Sequence, residues 1–304
     1  MSTSSSLSSA HAAIDEVRAW ALAQFGWTHV RLQVDGDAGH LRVHGEVVAP
    51  RLLSRIRRSL AAAVPGATID LRGVGWLAGD GFHAVPGDVV SLWRRPDRDD
   101  PRERVTELVP ADGPLERLAV LDDATLVRVP DGTLGWLQGM PLGPRVPAPC
   151  FASPPSWHDG AVAAAVQLHL GAPYRIGGGT PNGIDCSALV QRLLSAIGWR
   201  VPRHSADQLA IGPHDGLGPD RAGTLVAQWS ELEAPCHVGL ALGDGTIVHA
   251  SRSRREVVID ARDRWCGAAV RLAHVEREAI EALQRRAIGH RNLLEVLALG
   301  ELEP

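Results

Sequence analysis

Over the first 75 residues the spacing of apolar positions changes repeatedly, and each change marks an element. Between residues 10 and 25, Ala13, Val17, Trp20, Ala21 and Gln24 recur at helical spacing and Gly26 ends the run, which predicts a helix. The period then falls to two. Val30, Leu32 and Val34 alternate with polar residues, Gly36-Asp37-Ala38-Gly39 supplies a turn, and Leu41, Val43, Gly45 and Val47 alternate again, as in a hairpin. Pro50 opens a second helix through about Val64, and Ala67 to Val74 forms a third strand. The Ser-rich residues 1–9 read as a disordered start, leaving residues 10–75 as an α-β-β-α-β sandwich of two layers. On the second helix Arg51, Arg55 and Arg58 share a face, which reads as a solvated surface or, alternatively, an anion-binding stripe.

The α-β-β-α-β order resembles that of small bacterial BON-type domains. From residue 79 to 143 short strands are split by Pro, Gly and Asp, which predicts a small barrel. Val89-Val90-Ser91-Leu92-Trp93-Arg94-Arg95-Pro96 and the run from Leu126 to Leu137, with its Pro-Asp-Gly and Gly-Trp words, resemble the first and last strands of a bacterial SH3-like (SH3b) domain. Trp136 reads as barrel core rather than a ligand platform. Prolines 141, 144, 147, 149, 154 and 155 then make residues 144–156 a stiff linker, and residues 157–304 form the last domain. Residues 275–299 close it as one packing helix carrying Ile280, Leu283, Ala287 and Ile288.

Candidate chemistry concentrates in that last domain. Apolar positions 189, 190, 193, 194 and 197 mark a buried helix beginning about Asp185, which places Cys186 in its first turn. Unpaired amides and the helix dipole there favour thiolate over thiol. Asp185 reads first as the N-cap of this helix. A thiol nucleophile also needs a base on a separate element. Cys236 to Ser251 reads as a hairpin. A three-residue loop at Gly243-Asp244-Gly245 would put His237 and His249 on one face, and a two-residue loop would put them on opposite faces.

Pro-Tyr-x-x-Gly-Gly at 173–178, Gly-x-Asp-Cys-Ser at 183–187, Pro-Arg-x-Ser-x-Asp-Gln at 202–208, His-Val-Gly-Leu at 237–240 and Ile-Val-His-Ala at 247–250 occur in order. Together they resemble the NlpC/P60 cysteine peptidases, and the preceding SH3-like segment makes the chain similar to γ-D-glutamyl-L-diamino acid peptidases of the dipeptidyl-peptidase VI type. The resemblance implies an α+β, papain-like catalytic domain, preceded by the small barrel and the α-β-β-α-β domain. It implies Cys186 as nucleophile, His237 as base, His249 as the third polar residue and Tyr174, the chain's single tyrosine, as oxyanion donor. Asp185, Ser187, His204, Ser205 and Asp207 are the substrate-binding candidates.

The chain departs from the family pattern at Ala188, where Gly is usual, at Gly223-Thr224-Leu225, where Gly-Asp-Leu is usual, and at His204. Members that trim free peptides hold the substrate's amino group partly through an acid at that last position. The implied substrate is a murein peptide such as L-Ala-γ-D-Glu-diamino acid, cut at the γ-D-glutamyl bond during recycling of short peptides. Cleavage of intact peptidoglycan stems is the alternative, and a catalytically inert wall-binding module is the rival from another class. An acyltransferase or thioesterase on the same scaffold usually places His before Cys, the reverse of the order here.

Composition narrows the field. With 35 acidic against 31 basic residues and a net charge of −4, the chain lacks the basic excess that nucleic-acid binding requires. No apolar run of 18 residues exists and the start lacks a secretory signal pattern, which suggests a cytoplasmic protein. Cys150, Cys236 and Cys266 form no CxxC pair and read as free thiols, with the Cys236 side chain turned away from the site. The histidines show no metal-ligand spacing, so neither metal nor cofactor is expected, and oligomeric state is open.

Overall fold

Alternation from residue 30 to 47 buries one face of a hairpin, and the remaining N-terminal elements fold over that face. The computed structural model describes residues 3–97, 100–229, 235–266 and 271–299. Helix α1 (Thr3–Phe25) precedes β1 (Val30–Gly36) and β2 (His40–Val47), which pair antiparallel from Val30 opposite Val47 to Gly36 opposite Leu41. Helix α2 (Leu52–Ala63) then leads to β3 (Thr68–Trp76), parallel to β2. Leu41, Leu53, Ile56, Leu60 and Leu71 fill the space between helices and sheet. The start differs from expectation. Residues 3–9, read as disordered, are the first turns of α1, because Ser6 and Ala10 bury against the same core.

Seven strands follow: β4 (Phe82–His83), β5 (Val90–Trp93), β6 (Arg104–Leu108), β7 (Leu115–Leu121), β8 (Ala124–Arg128), β9 (Leu134–Gln138) and β10 (Arg145–Val146). They join in the order β10-β4-β7-β8-β9-β5-β6. The closed barrel expected for residues 79–143 is not found, since no pairing among the described residues joins the end strands. Strand β10, from the segment read as linker, occupies one edge, and β6 at the other packs against the loop before Cys186. The boundary near residue 77 is not a break in packing either. Trp136 is fully buried in the core of the N-terminal layer, and its indole N–H donates to the Phe25 carbonyl at 2.8 Å.

The last part begins with α3 (Asp159–His169), the short hairpin β11 (Gly179–Thr180) and β12 (Gly183–Ile184), then α4 (Cys186–Ser195) and α5 (Ser205–Leu209). Then come β13 (His214–Asp215), β14 (Leu225–Trp229), β15 (Pro235–Ala241), β16 (Thr246–Ser251), β17 (Glu256–Ala261), α6 (Arg262–Cys266) and β18 (Arg271–Val275). The six strands order as β13-β18-β14-β15-β16-β17, all antiparallel, with α4 across β15 and β16. Leu189, Val190, Leu193 and Leu194 of α4 meet Val238, Leu240 and Val248 of the sheet in one core.

The single terminal helix expected over 275–299 is two, α7 (Arg277–Arg286) and α8 (Leu293–Ala298). Gly289 at φ +88° ends the first, and the Asn292 side chain accepts the Glu295 amide at 3.1 Å to cap the second. The break turns α8 onto the Pro-Asp-Gly turn of the middle sheet. A Cβ at Gly132, where φ is +91°, would stand 2.2 Å from Leu294 Cγ, so the turn needs glycine for both conformation and space. Among the described residues no helix is long and apolar enough to cross a membrane.

A buried ion cluster joins the three parts. Arg128 donates to Glu116 at 2.9 Å and to the carbonyls of Val48 and Leu77, and Arg291 reaches the same Glu116 at 3.0 Å. Removing the shared carboxylate leaves the Arg128 guanidinium buried without its counter-ion. Glu116→Ala is therefore expected to lower unfolding free energy by about 3–5 kcal/mol in urea denaturation. A loss below about 1 kcal/mol, the range of exposed pairs, would contradict the cluster's structural role.

Candidate active site

The position of Cys186 is set by the residue before it. Asp185 accepts the Ala188 amide at 2.9 Å, capping α4, and the Gly177 amide at 2.9 Å, which ties down the glycine loop. Arg203 grips the same carboxylate with both terminal nitrogens, at 2.8 and 2.6 Å, while donating to Thr106 Oγ1 of β6 at 2.8 Å. The glycine loop lies tightly against its own return. A Cβ at Gly178 would come within 2.3 Å of the Gly183 carbonyl oxygen. Tyr174 bridges to Ile184, two residues before the cysteine, and donates its amide to the Arg255 carbonyl at 2.8 Å. Cys186 is buried, and its thiol meets the Val238 amide on β15.

The hairpin takes the three-residue loop. Leu240 faces Val248, Ala241 faces Ile247, and the Leu242 amide donates to the Thr246 carbonyl across Gly243-Asp244-Gly245. His237 and His249 therefore share a face, with His237 Nε2 at 2.8 Å from His249 Nδ1. The neighbouring strand adds a group that sequence reasoning missed. Asp260 on β17 lies 3.0 Å from His249 Nε2 and is held by Arg254 at 2.6 Å. A carboxylate accepts only, so His249 carries its proton on Nε2 and presents a lone pair at Nδ1. His237 must then donate from Nε2, which leaves His237 Nδ1 as a buried lone pair with no hydrogen-bond partner among the described residues. Period-2 patterning on β17 was the available signal, but Asp260 lies outside every motif word. Trp265 of α6, also missed, stacks on His237 with centroids 5.0 Å apart and meets His249 edge-on at 4.6 Å, which holds both rings in place.

A buried thiol at a helix start thus meets the strand that carries His237, at the residue next to that histidine. Residues 171–269 match the NlpC/P60 family. The chain is 35% identical over 109 residues to a probable endopeptidase of Corynebacterium glutamicum, covering 36% of this chain and 51% of that protein. It is 31% identical over 123 residues to the gamma-D-glutamyl-L-lysine dipeptidyl-peptidase of Bacillus subtilis, covering 39% of this chain and 42% of that protein. The chain thus spans about half the length, or less, of these curated relatives. The crystal structure of the NlpC/P60 domain of the peptidoglycan hydrolase SagA aligns at 25% identity and a TM-score of 0.33, covering 40% of this chain and 99% of that one.

Electrostatics around Cys186 run against one expectation. Burial pushes the Cys186 thiol up to about 11, with the Asp185 charge adding to it, and the Val238 and Ser187 amides and Arg203 fail to offset this. The helix start does not yield a resting thiolate. Burial likewise drives His237 down to about 3, helped by His249 and Arg252. His249 is lowered by burial against the opposing pull of Asp260. Burial acts to raise Asp260, but hydrogen bonds from His249 and Arg254 win and hold it below the usual carboxylate range. Burial raises Tyr174 to about 12, with the Cys186 and Asp185 charges adding, so its hydroxyl keeps its proton.

The substrate-binding candidates do not assemble as a group. Asp185 and Ser187 are spent on structure, since the Ser187 hydroxyl donates to Asp185 at 3.2 Å and accepts from Arg203 at 2.9 Å. Asp207 is ion-paired with Arg51 of α2, and Ser205 opens α5. His204 is pressed below its ordinary pKa by burial and by Arg51, Arg203 and Arg94 around it. Among the described residues no group of three or more His, Cys, Asp or Glu is placed to hold a metal ion. Cys150 is a free, exposed thiol, while the side chains of Cys236 and Cys266 lie outside the described residues.

A neutral thiol beside a neutral imidazole has a distinct signature. The rate of Cys186 alkylation by iodoacetamide is expected to rise about tenfold per pH unit through the neutral range toward the thiol's high pKa, because only thiolate reacts. A rate already flat between pH 6 and 8 would mean a preformed thiolate and contradict the burial argument.

Proposed function

We propose that residues 157–304 form a cysteine peptidase that hydrolyses the γ-D-glutamyl to diamino acid bond of murein peptides. The observation that carries this reading is the Asp260–His249–His237 relay on the sheet, together with the Cys186 thiol meeting the amide of Val238, the residue after His237. In this mechanism His237 Nδ1 removes the Cys186 proton as Sγ attacks the γ-glutamyl carbonyl carbon. The carbonyl π electrons move onto oxygen, where the Tyr174 hydroxyl and the Cys186 amide donate to the oxyanion. The new imidazolium is stabilised through His249 by the Asp260 charge and passes its proton to the leaving amine as the C–N bond breaks. Water, deprotonated by His237, then attacks the thioester and releases the γ-glutamyl carboxylate and the Cys186 thiol.

Two uses of this chemistry separate at His204. Recycling of short peptides with a free amino-terminal L-Ala calls for an acceptor for the ammonium, and His204 instead sits among Arg51, Arg94 and Arg203. With no carboxylate at position 204 to receive an ammonium, cleavage of blocked or wall-linked stems is favoured. The open sheet of residues 79–143, which we read as an SH3-like module, bears on the site through Glu107, bonded to Arg175 at 2.6 Å and to the Gly179 amide at 3.2 Å. That carboxylate too is occupied.

Mass spectrometry of L-Ala-γ-D-Glu-meso-diaminopimelate, with free and with acetylated amino termini, tests both levels. Wild type is expected to cut both peptides and Cys186→Ala neither. Cleavage of the free peptide alone would overturn the amine argument, and no cleavage of either would overturn the peptidase assignment.

A further inference from the structure

The arginine stripe of α2 leads into a cavity that includes none of Cys186, His237, His249 and Asp260. About 360 Å³ in volume, it lies where α1 and α2 meet the edge of the middle sheet, and Arg51, Arg55, Arg58 and Arg94 line it together with Trp20 and His204. His204 is the sole lining residue contributed by the NlpC/P60 domain. A solvated helix face would spread its charges into water, whereas these guanidiniums converge on one hollow from α2, from its N-cap Arg51 and from Arg94 just after β5.

The charges in the hollow do not balance. Arg51 is paired with Asp207, and Arg94 Nε lies 3.3 Å from Glu103. Arg55 and Arg58 have no carboxylate within 4.0 Å among the described residues. Arg55 is instead laid over the Trp20 ring, 3.7 Å from its centroid, which fixes the guanidinium plane before any ligand arrives. Asp207, Glu103 and the nearby Asp131 act on Arg51 and Arg94, which leaves Arg55 and Arg58 as the charges an anion would relieve, and two adjacent forks on one helix turn suit oxygens in pairs. Phe25 and Leu134 close the hollow with apolar surface.

We propose that this cavity binds a small anion bearing two or more carboxylate or phosphate groups, clasped by Arg55 and Arg58. The site is separate from the Cys186 relay, and occupation of it needs no peptidase chemistry.

Isothermal titration calorimetry on the full chain, with citrate and pyrophosphate as probes at about 0.15 M salt, where loose surface attraction is screened, reads binding directly. At least one probe is expected to saturate a single site. Citrate alone would assign carboxylates, pyrophosphate alone phosphates, and both together the shared dianion chemistry. Arg55→Ala with Arg58→Ala is expected to weaken binding by about tenfold or more, whereas Arg285→Ala with Arg286→Ala, which removes equal charge from α7, leaves it unchanged. Circular dichroism checks the fold, and Arg58→Ala alone, at an exposed position, serves if the double variant does not fold. Failure of both probes to bind at about 10 mM, or equal weakening by the α7 variant, would overturn the proposal.

Discussion

The ion pair between Arg203 and Asp185 is the contact from which the rest of the site hangs. One carboxylate caps α4, fixes the glycine loop through Gly177 and anchors the arginine, and that arginine spans to Thr106 of the middle sheet. The pair is buried, so its stability depends on every remaining donor and acceptor being engaged, and here they are. A buried pair of this kind serves placement more than stability. It gives the sulfur atom of Cys186 a fixed location relative to β15, and it couples the α4 start to the segment that carries His204.

Opposite the thiol, the sheet supplies a proton path with a single polarity. Two imidazoles alone could be protonated in several ways, and a carboxylate at one end leaves one arrangement. Asp260 thereby acts on His237 through His249, over two hydrogen bonds, without touching the nucleophile. Burial then favours the neutral form of both Cys186 and His237. In the proposed mechanism charge appears only as the substrate carbonyl is attacked, with Asp260 already bonded to His249. Stabilisation that exists before the reaction and is strongest at the charged transition state is the form that speeds a chemical step.

Much of this was legible in the residues. The alternating hairpin and the helix beginning at Asp185 follow from period, because local patterning decides them, whereas the His237–His249 pairing hung on a loop length that the residues left open between two and three. What escaped was set by tertiary packing. Asp260 is one carboxylate among many in a chain with 35 acidic residues, and nothing local marks it as facing His249. The thiol's state was misjudged because the helix start is visible in sequence while the depth of burial is not. Residues 79–143 showed strands but not closure, since the edge that would have closed the sheet is taken by the loop before Cys186. The Ser-rich start and the broken terminal helix turned on contacts made by Ser6 and by Gly132 with Leu294.

The neutral relay is the central claim, and ring-nitrogen NMR tests it most directly. With 15N-histidine label at pH 7, the account predicts neutral His237 and His249, each protonated at Nε2, with the unprotonated Nδ1 of His249 shifted by its hydrogen bond from His237. A doubly protonated His237 at that pH, the partner of a resting thiolate, would contradict it.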